Sequence, residues 1–146
     1  MRVRPLRLTL PQLGKRWQDI ELKLNIMLKP DRALIFKDLF NIHQNHHNLP
    51  WQPFREGIDI YRLYGDGTGA SAALLRYQKG ASVPRHNHSG FEHIFVLSGE
   101  QSDRNGTHVA GTLVINPPET SHSVTSESGC IVLAIWEKPV VMQVDV

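Results

Sequence analysis

The chain has 146 residues, of which 40% are hydrophobic and 21% charged, and a formal net charge of +2. That is one domain's length with apolar content for one core, and it excludes a largely disordered chain. So small a charge argues against nucleic acid as the main partner, which needs clustered Lys and Arg, and no apolar run approaches the roughly 20 residues of a membrane span.

The chain opens with basic residues: Arg2, Arg4, Arg7, Lys15 and Arg16 all precede the first acid, Asp19. A short basic tail, a domain that truly begins at Met27, and a cleaved targeting peptide are the three readings. The last is disfavoured, because the apolar stretch 8–13 is short and broken by Pro11. Residues 1–50 are read as a less regular N-terminal extension, ahead of a barrel over 51–146. Within it, 21–28 fits neither helical nor strand spacing, and 33–40 reads as a short helix or a strand packed on the core. His43, His46 and His47 sit between Asn41 and Asn48 without a carboxylate or cysteine beside them, so a polar loop is expected there rather than a second metal site.

From residue 56 the pattern is β. Runs rich in β-formers over 58–64 and 70–77 flank the glycine-rich loop 65–69 and form a hairpin. No helical segment follows that loop, which sets aside a phosphate-binding role. A strand over 91–98 is followed by another ending near Asp103. Asn105-Gly106 predicts a type I′ turn into a strand over 107–115, which Pro117-Pro118 stops. Segments 123–125, 131–137 and 140–144 complete the set. Many short strands with closely spaced turns indicate an all-β sandwich or barrel. The apolar segment 140–144 is suited to extending a neighbour's sheet, so a homodimer is expected. The single cysteine, Cys130, reads as a small buried hydrophobe; it cannot form an internal disulfide, which suits the cytoplasm.

The chemistry concentrates in His86, His88, Glu92 and His122. Residues two apart in a strand face the same way, so His86 and His88 point together, and Glu92 keeps that parity if the Ser89-Gly90 bend preserves it. Ile94 and Val96 share the parity and would pack behind them. Three imidazoles and a carboxylate inside a barrel are costly unless a cation sits among them. The mixed N/O set suits one divalent metal ion: Zn, Fe, Mn or Ni. His108 is expected on a surface strand, Arg76 on the outward face, and the tryptophans in the core or an interface. No separate nucleophile or general base announces itself.

The spacing Gly80-x5-His86-x-His88-x3-Glu92-x6-Gly99 resembles the first motif of the cupin superfamily, and Gly111-x5-Pro117-x-Glu119-x2-His122-x3-Ser126 resembles the second. Glu119 stands where the family has Gly, at a tight turn, and Ser126 where it has Asn. Residues 74–124, beginning LLRYQKGASVPRHNHSGFEHIFVLSG, look most like the ChrR-like cupins. The resemblance implies a jelly-roll barrel with His86, His88, Glu92 and His122 as metal ligands. His93 replaces that subfamily's second acid and should face away from the metal. The function implied is either a small-molecule metalloenzyme of dioxygenase type or a non-catalytic zinc-binding sensor. In the latter the barrel would bind a small-molecule ligand, as a relative of the cupin half of ChrR-type anti-sigma factors. The anti-sigma zinc domain's His-Cys-Cys cluster is not expected, since Cys130 is the one cysteine.

Overall fold

The computed structural model describes residues 33–143, and the compact unit treated below begins at Phe36. The basic start, Met27, the 21–28 segment and Val144 lie outside the described residues.

Ten strands make up the described fold: β1 (Gln52–Arg55), β2 (Ile58–Tyr64), β3 (Ser71–Tyr77), β4 (Ser82–His88), β5 (Glu92–Asp103), β6 (Gly106–Val109), β7 (Leu113–Asn116), β8 (Ser121–Thr125), β9 (Cys130–Trp136) and β10 (Val140–Met142). Paired strands are antiparallel throughout, in the order β1-β2-β3-β9-β5-β8-β4-β10, with β6 and β7 added along β5. The sheet curls into the jelly-roll barrel that the spacing of strands and turns predicts.

The twelve-residue β5 serves both walls of the barrel. Its first part pairs with β9 and β7, its last with β6 and β8, and the ladder slips between Val96 and Ser98. A bulge inserts one residue and changes which side chains face in. Ile94 and Val96 face the interior before it, as parity requires; after it the inward residue is Gln101, which is buried.

The interior core joins Ile58, Ile60, Leu75, Ile94, Val96, Val124, Cys130 and Val132. Cys130 is buried there, and burial pushes its thiol up to about 11, so it remains an inert apolar filler. A second cluster covers the outside of the same wall, where Leu74, Leu97 and Ile131 meet Ile42. That second cover explains why β3 is apolar on both faces rather than alternating.

Ile42 arrives on a single helical turn, α1 (Ile42–Asn45), flanked by 3-10 turns at Leu39–Asn41 and His46–Asn48. Residues 33–38 carry no regular structure. The helical segment is therefore displaced toward the histidines that were expected in a loop. Asp38 fixes the displacement: its carboxylate accepts from Asn41 Nδ2 at 2.6 Å and Asn45 Nδ2 at 2.7 Å. Arg76 faces outward, as expected. It is paired with Asp59 at 2.6 Å and stacked over Trp51, 4.6 Å from the ring centre.

Two turns differ from their sequence reading. Asp103 pairs with Gly106, so Arg104-Asn105 is the two-residue connection, and neither takes positive φ. The turn is thus not type I′. The Asp103 carboxylate accepts from the Asn105 backbone N–H at 2.7 Å, and Gly106 alone, at φ 125°, takes the unusual conformation. The strand expected over 107–115 is two strands, broken where Gly111 turns at φ 92°.

Glu119, in the family's glycine position, adopts φ 69°. The tight turn forms without glycine, anchored because the Glu119 N–H donates to the His88 carbonyl at 2.9 Å. Left-handed backbone costs an L-residue about 1–2 kcal/mol. Glu119→Gly should therefore stabilise the protein by about 1 kcal/mol, after the extra unfolded-state entropy of glycine is subtracted. Urea titration with an unchanged m-value checks this; a loss of stability would show that the Glu119 side chain contributes more than the strain costs.

Candidate metal centre

His86 and His88 come from β4, Glu92 from the first residue of β5, and His122 from β8. His86 and His122 are direct cross-strand partners. All four are buried, and one ligand atom from each lies within 4.8 Å of every other. The structure brings together all four residues that the sequence singled out.

Each imidazole is oriented by its Nδ1. His86 Nδ1 lies 2.9 Å from the Pro84 carbonyl, which can only accept, so that nitrogen carries the proton. Thr120 Oγ1 gives its proton to the Pro117 carbonyl at 2.6 Å, so it accepts from His88 Nδ1–H at 2.9 Å. His122 Nδ1 donates to Asp103 Oδ2 at 3.2 Å. With Nδ1–H committed three times, the neutral rings present bare Nε2 lone pairs inward.

Those of His88 and His122 lie 3.2 and 3.4 Å from Glu92 Oε1. The directions are wrong for hydrogen bonds, and both nitrogens are buried without a partner. Lone pairs facing a carboxylate oxygen repel unless a positive charge stands between them, so the set is compatible with a cation.

Glu92 is held in turn by its neighbours in register. Asn116 and Trp136 are its cross-strand partners on β7 and β9. Asn116 Nδ2 donates to Oε1 at 3.0 Å and Trp136 Nε1 to Oε2 at 2.7 Å. Burial alone would raise the Glu92 pKa; in the metal-free site protonation of His122 and His88, together with the Trp136 N–H, outweighs it and holds the carboxyl well below its usual range. Burial also depresses His86, and there it prevails. At His122 burial is overcome by the carboxylates of Glu92 and Asp103, which raise its pKa.

Sequence reasoning did not find Asn116, Thr120, Trp136 or Asp103. Asp103 shares the odd parity of Gln101, opposite to Glu92, and only the β5 bulge turns it toward His122. His108 is half-buried, donating to Asp103 Oδ1 at 3.1 Å, so it belongs to the site's outer support rather than to an open surface. His93 lies outside the four-residue cluster, as its parity requires. His43, His46 and His47 form no candidate ligand group among the described residues.

The cavity beside the four residues is small, about 50 Å³, and its walls include Leu75, Tyr77, Ile94, Gln101 and Val124. It has room for a few water-sized groups. Glu119 is exposed and takes no part in its lining.

Residues 41–138 match the family described as the ChrR Cupin-like domain. No curated protein sequence matches the chain. Among solved structures, a cupin-like-fold protein of unknown function from Ralstonia eutropha is similar at 22% identity and TM-score 0.56, over 61% of this chain and 60% of that one. This chain thus spans about three fifths of that protein. Rhodobacter sphaeroides SigE in complex with the anti-sigma ChrR is similar at 24% identity and TM-score 0.58, over 92% and 70%. An acetylacetone dioxygenase from Acinetobacter johnsonii is similar at 18% identity and TM-score 0.62, over 79% of each. At these identities the likeness is one of fold.

The support of His122 by Asp103 is testable. Asp103→Asn removes the charge but leaves an acceptor, so the His122 pKa should fall. Histidine-ring NMR titration of metal-free protein reads the shift; an unmoved His122 would mean that Glu92 alone sets its protonation.

Proposed function

This chain belongs to the ChrR cupin-like domain family, and on that premise we propose that His86, His88, Glu92 and His122 hold one divalent metal ion (Zn, Fe, Mn or Ni) in a small-molecule metalloenzyme of dioxygenase type. The observation that carries this reading is the pair of buried, unpartnered Nε2 atoms facing the Glu92 oxygen. Three imidazole nitrogens and one carboxylate oxygen suit first-row divalent metals and leave positions open on an octahedral ion.

When bound, the ion would supply Lewis acidity and, if redox-active, electrons for dioxygen chemistry. The protein's residues do the rest. Pro84, Thr120 and Asp103 hold the rings, Asn116 and Trp136 orient the carboxylate, and Leu75, Ile94 and Val124 keep bulk water from the cavity. One observation favours the non-catalytic sensor instead: apart from the proposed ligands, among the described residues no carboxylate or histidine lines the cavity as a general base.

The working form we propose is a cytoplasmic homodimer. Buried Cys130 needs no oxidising compartment, and the outward side chain of Val141 on β10 is exposed to a second copy. Among the described residues no helix is long and apolar enough to cross a membrane. Light scattering at micromolar concentration should read two chains per particle; a single chain refutes the dimer.

Protein purified without added metal should carry close to one ion per chain, lost in His86→Ala and in His122→Ala. Full occupancy in a His86→Ala, His88→Ala double variant would overturn the assignment. Oxygen uptake with small diketones then separates the readings: turnover by an iron- or manganese-loaded protein supports the enzyme, and inertness across the screen with tightly held zinc supports the sensor.

A further inference from the structure

The strand order ends at β1 and β10. The cavity is lined from both, by Phe54 and Arg55 on one side and Val140 and Met142 on the other. Among the described residues no ladder joins these two strands, and the seam between them forms part of the cavity wall.

A β-bulge aims Arg55 at that seam. Pro53 pairs with Asp59 and Arg55 with Ile58, so two residues of β1 stand against one step of β2. Bulges next to binding sites re-aim side chains in this way. Cross-strand partners share a face. Ile58 is 1% exposed in the interior core, and its other partner is Tyr77, which also lines the cavity. Arg55 thus lies on the inward face beside them.

Among the described residues no carboxylate is within ion-pair distance of Arg55; its cation contact is the Phe54 ring, 5.4 Å to the centre. Arg76, by contrast, is neutralised by Asp59. The lining's single carboxylate among the described residues, Glu92, is already engaged by Asn116 and Trp136. Two neutral groups stand nearby: buried Gln101, and Tyr77, whose phenol burial keeps protonated and able to donate. With the divalent ion of the reading above in place, positive charge would exceed negative in a small, mostly apolar space, a setting in which an anion is strongly favoured.

We infer that the cavity is a binding site for a small carboxylate, whose charged end is held by Arg55 at the β1–β10 seam, facing the four converging donors. The inference rests on the metal reading, because the ion supplies the second attraction. Planar guanidinium and carboxylate match in a bidentate pair, and the cavity volume admits only a compact acid.

The test uses the full chain loaded with one equivalent of cobalt(II), with acetate and its neutral counterpart acetamide as probes. Paramagnetic relaxation of the probe's methyl protons reads both binding and closeness to the metal. Acetate should relax saturably, and Arg55→Gln should weaken its binding roughly tenfold, the lower end of what a lost charged hydrogen bond costs. Cobalt stoichiometry and acetamide relaxation should stay unchanged in that variant. Arg62→Gln, which removes the same charge outside this cavity, should leave acetate binding within about twofold. Unchanged acetate binding in cobalt-loaded Arg55→Gln, or an equal loss in Arg62→Gln, overturns the assignment to Arg55 and leaves the metal reading standing. Failure of the unmodified protein to take up cobalt overturns the metal reading and this inference with it.

Discussion

Three imidazole N–H groups committed to fixed acceptors are the constraint on which the site depends. Once Pro84, Thr120 and Asp103 have taken the Nδ1 protons, the Nε2 lone pairs can only face one another and the Glu92 carboxylate. The acceptors come from β4, from the turn before β8 and from the far end of β5. Glu92 draws its own donors from β7 and β9. No pair of strands could build this arrangement alone, so the concentration of like-signed density at the centre is imposed by closure of the whole barrel. Its cost is what makes a cation the natural complement.

Strand parity grouped His86, His88 and Glu92 and the second motif added His122, but parity was right about Glu92 for a reason other than the one that made it plausible. His86 and His88 do alternate on one strand. Glu92 belongs to a strand separated from β4 by β8, so no register links them. It joins them because both strands face one interior, which polarity in an otherwise apolar run discloses. The supporting residues were hidden by local geometry. One extra residue near Leu97 inverts the parity of β5, and Asp103 is then read as facing out when it faces in. Asn116 and Trp136 could be placed beside Glu92 only once the pairing of β7 and β9 was known, and such pairing is a long-range property.

The start of the compact unit was legible for similar reasons only in part. Leu39 and Ile42 lie three apart at the end of an apolar stretch, and neither periodicity test detects a single helical turn. Their role shows in the partner instead: β3 is apolar on both faces, which requires a second cover on the outside of the wall. Glu119 is the converse case. The missing glycine put the tight turn in doubt, yet the hydrogen bond to His88 holds a strained residue in the left-handed region. Context of that kind overrides local preference by about the amount the strain costs.

The pairing of β10 with β4 has a consequence for the order of events during synthesis. Val140 and Met142 lie opposite His88 and His86, so the strand carrying two of the three central histidines gains its outer neighbour from residues made more than fifty positions later. While the nascent chain is shorter than that, the histidine strand is itself an open edge. The histidine strand is thus completed only after Val140 and Met142 have been made, and a chain that stalls or is clipped before Val140 leaves that strand exposed to wrong partners.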